Sequence, residues 1–279
     1  MKLTDKVPST AHRILIYGAP KSGKTQLVGE LAKKYKLIWF DLENGYATLL
    51  KLPKAYQENI EIISIPDSKD FPIAIETLLK AITGNPVNIC EHHGKVSCPI
   101  CQKDNSPVTT IELGKLGTDS VVVIDSLTQL TNSIIGQVGK GKGIEFKFGY
   151  DEWAHVKNLV EAFLSKIQQV KYNIVCISHE EEVEMEDGKK KLVPVCGSSK
   201  SSRNTAKYFD HVVYVDVKNK KHGASSSTTF SNNILTGSRT DAILESAITP
   251  TLFDIFEQKK ASNTPGQIAL NSLSGVSKS

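Results

Sequence analysis

The sequence predicts an α/β domain built on a mostly parallel sheet with helices on both faces. Two observations carry this. Residues 13–17, 37–40, 121–124 and 173–177 are short apolar runs rich in Ile and Val with no polar alternation, the pattern of strands covered on both sides. Stretches of helical periodicity separate them, and strands alternating with helices build parallel sheets. The 279 residues suffice for one large domain or two small ones. With 39% hydrophobic and 23% charged residues, a mainly disordered or fibrous chain is excluded. No apolar run approaches the ~18 residues of a membrane span. Residues 1–13 are polar and charged rather than signal-like, so a cytoplasmic location is expected.

Taken in order, the first run enters a glycine-rich turn, and residues 24–35 read as a helix. Residues 60–65 are a further strand, and 71–82 a helix. Residues 84–120 hold Gly, Pro, Asn, Cys and His with little periodicity, and 136–150 are rich in Gly and Lys. The strongest helix is 152–170, where Val156, Val160, Phe163, Leu164 and Ile167 fall on one stripe. Asp187-Gly188 between alternating segments predicts a hairpin over 181–195, with Glu186 opposite Lys189 and Glu184 opposite Lys191. Residues 211–217 are another strand. From 258 to 279 the chain turns to Ser, Thr, Asn, Gly and Lys, the composition of a disordered tail. The expectation is one domain over 1–257, with an insertion at 85–118 and a tail.

Net charge is only +4, which excludes a histone-like polycation and leaves room for a local basic surface. Three of the 34 basic residues are arginine: Arg13, Arg203 and Arg239. Lysine makes point-charge contacts without bidentate geometry, which suits sequence-independent phosphate binding.

Gly18-Ala19-Pro20-Lys21-Ser22-Gly23-Lys24-Thr25 matches G-x-x-x-x-G-K-S/T in full, after a strand and opening a helix. Glycines let backbone N–H groups turn inward around a phosphate, and the helix N-terminus adds favourable partial charge. Lys24 is placed to reach β- and γ-phosphates, and the Thr25 hydroxyl to ligate Mg²⁺. Asp125 ends the strand Val121-Val122-Val123-Ile124, the position from which a carboxylate faces the loop and holds the Mg²⁺ shell. Hydrolysis also needs a group that orients or deprotonates water. The residue after Asp125 is Ser126, not an acid. Glu43, in Phe40-Asp41-Leu42-Glu43 at another strand end, is either that group or a solvated loop carboxylate.

This ordered set resembles the RecA-type P-loop NTPase core. The loop, Phe-Asp-x-Glu after the next strand, a strand ending Asp125-Ser126 and a later strand ending in a polar residue all recur here. The resemblance covers residues 12–257 and implies ATP as substrate, Glu43 as the activator of water, and His179 as the γ-phosphate sensor where RecA carries Gln. Val217-Lys218-Asn219-Lys220 resembles the element that sends lysines into a neighbouring subunit's site, so Lys218 and Lys220 are expected to contact nucleotide in trans; a solvated basic turn is the alternative. The short chain and the form Gly-x-Pro-Lys-Ser-Gly-Lys-Thr are similar to the phage-encoded Sak group, a group proposed to act as single-strand annealing recombinases. The partners so implied are single-stranded DNA, further copies of this chain in a filament or ring, and a single-strand binding protein, in the host cytoplasm. A helicase loader or replication-associated ATPase is the rival reading. A small-molecule kinase fits poorly, since such enzymes close an Arg-rich lid over the phosphates.

Cys90, His92, His93, Cys98 and Cys101 fall within twelve positions. Cys98-x-x-Cys101 presents two sulfurs to one tetrahedral ion, and Cys90 with either His92 or His93 completes a Cys₃His set. A structural Zn²⁺ would staple an otherwise long irregular segment. Two readings compete: a redox pair at Cys98 and Cys101, which calls for a helix starting there for which the sequence shows no pattern, and coincidental thiols in a flexible loop. Cys176 and Cys196 sit in apolar surroundings and read as core residues.

Residues 139–150 interleave Lys140, Lys142 and Lys147 with Phe146, Phe148 and Tyr150 on a glycine-rich backbone. Such a segment either pairs phosphate neutralisation with base stacking or packs its rings under the long helix. In RecA-like proteins the segment after the Asp-Ser strand binds DNA. Residues 197–205, with Lys200 and Arg203, are the better candidate for a second DNA loop than Lys189–Lys191, which hairpin ion pairs account for.

Overall fold

A strand made of consecutive Ile and Val has no polar face to offer water, so it is stable only between two apolar layers. The computed structural model, which describes residues 11–68, 71–143, 145–185, 187–227, 231, 233–240, 245–246 and 250–257, has that arrangement. β1 (Arg13–Gly18) leads through the glycine-rich loop into α1 (Lys24–Gly29), and β2 (Lys36–Asp41) follows. Next come α2 (Lys54–Gln57), β3 (Ile60–Ser64) and α3 (Ala74–Ile82). β4 (Val87–Cys90) and β5 (Val108–Ile111) enclose α4 (Pro99–Lys103). β6 (Ser120–Asp125) returns to the main sheet and is followed by α5 (Leu127–Val138) and α6 (Tyr150–Ile167). Then β7 (Asn173–Glu184), β8 (Lys190–Pro194), α7 (Ser199–Asn204), β9 (His211–Lys218) and β10 (Lys221–Ser225) lead to the short β11 (Gly237–Ser238), β12 (Glu245–Ser246) and α8 (Phe253–Phe256).

Six strands run parallel in the order β9-β1-β7-β6-β2-β3, and β10 and β12 continue antiparallel beyond β9. Alternate side chains enter two separate cores. Leu15, Tyr17, Phe40, Ile124 and Cys176 pack with α3, α5 and α6, whereas Ile16, Trp39, Val123, Val175 and Val215 pack with α1 and α8. The α6 stripe of Val156, Val160, Phe163, Leu164 and Ile167 is buried as its periodicity predicts. Cys176 and Cys196 are both buried in the first core.

The structure corrects several expectations. The first helix is α-helical only to Gly29 and tightens to a 3₁₀ turn over Glu30–Lys33. A Cβ on Gly29 would meet Leu49 Cδ2 at 2.7 Å, so the end of α1 packs closely against the segment after β2. The helix predicted over 71–82 begins at Ala74, because Asp67 Oδ1 accepts the N–H groups of Ile73 and Ala74 (2.7 and 2.8 Å). α5, most of which falls in a stretch to which the sequence assigns no element, begins at Leu127 and is capped by Ser126, whose Oγ accepts from Gln129 N. In the 181–195 hairpin Glu184 pairs with Lys190, one residue off the predicted register. Its ion pairs are Lys190 with Glu182 (2.7 Å) and Lys189 with Asp187 (3.3 Å) among the described residues; Glu186 lies outside the described residues, as does the tail at 258–279. Among the described residues no helix is long and apolar enough to cross a membrane.

Candidate functional site

The carboxyl ends of β1, β2, β6 and β7 lie side by side, with Gly18 opposite His179 and Asp41 opposite Asp125 in the strand registers. A parallel sheet therefore gathers at one edge the side chains that the sequence scatters over more than 150 positions. They line a cleft of about 520 Å³ that includes Lys21, Lys24, Thr25, Glu43, Asp125 and His179.

The loop from Gly18 to Thr25 is shaped by close approach. A Cβ on Gly18 would fall 2.1 Å from the Val215 carbonyl oxygen. Gly23, the residue before α1, has φ +95°, a conformation that glycine adopts without strain. Lys24 is buried, its Nζ donating to the carbonyls of Gly18 (2.9 Å) and Ala19 (2.8 Å). Burial lowers its pKa, against the pull of Asp125, Glu43 and Glu180. Thr25 Oγ1 donates to Asp125 Oδ2 at 3.2 Å. Asp125 is itself buried, and burial, reinforced by Glu43 and Asp41, pushes its carboxyl up to about 7. A hydroxyl and a carboxylate held together, with excess negative potential around them, are hard oxygen donors that fit a Mg²⁺ ion.

Glu43 is held from two sides. Ser126 Oγ donates to its Oε1, and His179 Nε2 lies 3.4 Å from its Oε2. The His179 contact, followed by the Ser126 bond and Lys24, holds its pKa below the usual carboxylate range although burial opposes this. The Ser126 that replaces an adjacent acid thus carries two duties, capping α5 and orienting Glu43; the Asp125–Ser126 peptide is cis. His179 is fixed through its backbone N–H, which donates to Thr128 Oγ1 (2.9 Å), and its Nδ1 has no hydrogen-bond partner among the described residues.

Two residues in this neighbourhood escaped the sequence reading. Asp41, fully buried, accepts from the backbone N–H groups of Glu43 (3.1 Å), Gly45 (3.0 Å) and Tyr46 (3.2 Å), so it shapes the loop that presents Glu43. Its place in Phe-Asp-x-Glu was the available signal. His222 on β10 sits over the loop with Nδ1 2.9 Å from the Ser22 carbonyl oxygen; nothing in Lys221-His222-Gly223 marks it. Lys218 and Lys220 lie outside this cleft. They are exposed, Lys218 at the end of β9 and Lys220 on the turn to β10, and Lys218 Nζ pairs with Asp216 Oδ2 at 2.8 Å.

Between α3 and β6 the chain forms a two-stranded antiparallel sheet of β4 and β5. Cys90, His93, Cys98 and Cys101 converge, with one ligand atom from each within 4.8 Å of the others. His93 Nδ1 is 3.2 Å from Cys101 Sγ and 3.7 Å from Cys98 Sγ. His92 is exposed and outside the set. A five-residue helix does begin at Pro99, directly after Cys98, so the absence of a helix is no argument against a redox pair. The argument is instead the four converging donors, three of them buried thiols, which match closed tetrahedral zinc coordination. The knuckle docks tightly: a Cβ on Gly94 would fall 2.5 Å from the Ser64 carbonyl oxygen, and Thr77 Oγ1 donates to the Gly94 carbonyl.

In the 139–150 segment one of the three rings packs inward and two stay exposed. Phe148 packs against the core, Phe146 is 41% exposed, and Tyr150 is 97% exposed. Lys142 Nζ lies 4.1 Å from the Phe146 ring centroid and pairs with Glu152. Lys189, Lys190, Lys191, Lys200 and Arg203 line one groove of about 670 Å³, joining two stretches that the sequence reading treated separately.

A family model described as an AAA domain matches residues 10–240 of the chain. No curated protein matches. Among solved structures, the crystal structure of the RadB recombinase aligns at 14% identity with a TM-score of 0.39, covering 77% of this chain and 80% of that one.

Proposed function

We propose that this chain, which belongs to the AAA-domain family, is a Mg²⁺-dependent P-loop ATPase with a RecA-like core that acts on single-stranded DNA in annealing or recombination. The observation that carries the hydrolytic part is Glu43, held ionised between Ser126 and His179 across the cleft from Lys24. Glu43 takes the proton of a water that attacks the γ-phosphorus, and the bond to the β,γ-bridging oxygen breaks, leaving ADP. The loop amides and Lys24 hold the β- and γ-phosphates. Thr25 and Asp125 hold Mg²⁺, which when bound offsets the charge on the phosphate oxygens. His179 reports the γ-phosphate: its Nε2 exchanges Glu43 for a phosphate oxygen.

The further parts of the reading rest on placement. Lys218 and Lys220, exposed at the same edge of the sheet, serve the site of an adjoining copy in a filament or ring. Lysines and exposed rings of 139–150, with the groove of Lys200 and Arg203, bind the backbone and bases of single-stranded DNA. Cys90, His93, Cys98 and Cys101 hold a structural Zn²⁺. Within this family the likeness to the phage Sak group of annealing proteins, with a single-strand binding protein as partner, is the assignment we favour.

The test is ATP hydrolysis with and without single-stranded DNA, beside Lys24→Ala and Glu43→Gln, followed by annealing of complementary strands. DNA-stimulated turnover lost in both variants, with ATP-dependent annealing, supports the proposal. Turnover indifferent to DNA and no annealing would overturn it and point to a protein-driven motor such as a helicase loader.

A further inference from the structure

Ile65-Pro66-Asp67-Ser68 leaves β3 as irregular chain, and Asp67 is not among the residues that line the cleft over Lys24. Its carboxylate nevertheless gathers four donors from two helices. Oδ1 accepts from Ile73 N (2.7 Å), Ala74 N (2.8 Å) and Ser133 Oγ (2.8 Å), and Oδ2 accepts from Gln129 Nε2 (3.3 Å). The two amides belong to the start of α3. Gln129 and Ser133 lie four residues apart on α5, so they share one face of it. Ser133 is fully buried, and its Oγ also accepts from Ile75 N. Asp67 therefore fastens α5 at two points, one of them out of reach of water.

What it fastens is the turn that carries the hydrolytic pair. Ser126 Oγ donates to Glu43, and Thr128 Oγ1 accepts from His179 N at 2.9 Å. Gln129, whose side chain reaches Asp67, sends its backbone N–H to the same Ser126 Oγ at 3.2 Å. The segment that carries Asp67 is itself anchored. Ile65 N donates to the Asp41 carbonyl (2.9 Å), Asp67 N donates to the Ile65 carbonyl (2.7 Å), and Gly94 of the knuckle packs against Ser64 and Ile65 from the other side. Asp41 in turn shapes the loop of Glu43. Both supports of Glu43, the Asp41 loop and the Ser126 hydroxyl, are thus tied to residues 65–67.

We propose that Asp67 is a positioning residue for hydrolysis: it fixes the first turn of α5, so that Ser126 and Thr128 hold Glu43 and His179 at the γ-phosphate. The proposal rests on the reading of Glu43 as the group that activates water, and adds the residue that aims it. A hydroxyl orients a carboxylate only as well as its own backbone is held, and misplacing a reacting group by about 1 Å costs up to about a hundredfold in rate.

The experiment exchanges the two partners of one bond. Asp67→Asn keeps Oδ1 for α3 and Ser133 but sets an amide NH₂ against Gln129 Nε2, donor against donor. Turning the Gln129 amide over would forfeit its bond from Asn132 Nδ2 (3.2 Å). Gln129→Glu sets two carboxylates against each other. The double exchange restores the bond with its polarity reversed and leaves the net charge as in the wild type. Single-turnover ATP hydrolysis and ATP titration are measured on the full chain, these three variants, Glu43→Gln, and Glu43→Gln with Asp67→Asn. Each single exchange should slow hydrolysis about tenfold or more with ATP affinity within about twofold, and the double exchange should return the rate to within about threefold of wild type. In the Glu43→Gln background Asp67→Asn should slow turnover no further, because a residue acting through Glu43 has nothing left to aim. Single exchanges that leave the rate unchanged, or a double exchange no faster than the slower single one, would reduce Asp67 to a cap of α3 and overturn the proposal. Loss of ATP affinity in step with the rate would likewise assign Asp67 to the fold alone. Wild-type turnover in Glu43→Gln would instead remove the reading of Glu43, and the proposal with it.

Discussion

His179 Nε2 lies 3.4 Å from Glu43 Oε2, although their strands, β7 and β2, are separated in the sheet by β6. The contact spans the strand that ends in Asp125 and Ser126, and Ser126 supplies the second bond to the same carboxylate. The water-activating group and the γ-phosphate sensor of the proposed mechanism are thus in contact before any phosphate separates them.

That contact makes a kinetic prediction. Glu43→Gln should lower kcat by about 10² to 10⁴, the range of general-base loss, with ATP affinity unchanged. His179→Ala should cost about tenfold to a hundredfold, and the double variant should be no slower than Glu43→Gln alone, because the two act as one unit. Single-turnover hydrolysis on the four proteins checks this; additive losses would mean that His179 acts independently of Glu43.

Lys24 should be dispensable for the fold. Its folded pKa is lowered chiefly by burial, so the charged amine is disfavoured in the native state relative to the unfolded chain. Stability should rise as pH climbs toward 10.5, the range where the unfolded chain still holds the proton and the native state releases it. Lys24→Met should therefore leave stability within about 1 kcal/mol of wild type, lack that alkaline gain, and lower ATP affinity at least about a hundredfold. Urea unfolding beside nucleotide titration checks both halves; a loss above about 2 kcal/mol would assign Lys24 a structural role.

The Cys₃His set predicts one Zn²⁺ per chain in protein purified without chelator. Removing it, or Cys98→Ser, should raise amide exchange over β4, α4, β5 and the docked Ser64–Ile65 backbone, and leave β1, β6 and β7 protected, since the knuckle has its own small sheet. Metal analysis with hydrogen exchange reads this. Exchange that rises throughout the main sheet would show that the metal supports the whole domain.

What the sequence makes legible here follows physical locality. The Ile/Val runs mark β1, β2, β6 and β7 because a strand covered on both faces has no other composition open to it. The phosphate-binding loop is legible because its glycines are local requirements of one turn. α5 is not, because polar Thr131 and Ser133 are buried on its inner face and Thr128 and Gln129 flank it. Thr128 and Gln129 turn out to be tied to His179, Asp67 and Ser126. The choice between His92 and His93 depends on which side chain the turn after β4 points inward, and His222 on a strand-to-loop contact 200 residues long. Neither leaves a pattern in neighbouring residues.

His211 predicts the acid limit of the fold. It is fully buried at the start of β9, with Nδ1 3.0 Å from Ser238 Oγ and Nε2 without a partner among the described residues. Burial, with the nearby His12, lowers its pKa to about 4, against the pull of Asp210. His12 shifts downward as well, mainly by burial, and its ring lies 5.8 Å from that of His211. The sign is that of a base with a depressed folded pKa. Near neutral pH both states leave the imidazole neutral, and no stability is lost. As pH falls from about 6.5 toward 4 the unfolded chain binds a proton that the native state refuses, so stability drops by up to about 1.4 kcal/mol per pH unit and about 3 kcal/mol in all. Urea unfolding from pH 7 to pH 4 should show that slope, and His211→Asn, which keeps a partner for Ser238 and cannot titrate, should reduce it by about one proton. An unchanged slope in the variant would place the acid-labile group elsewhere.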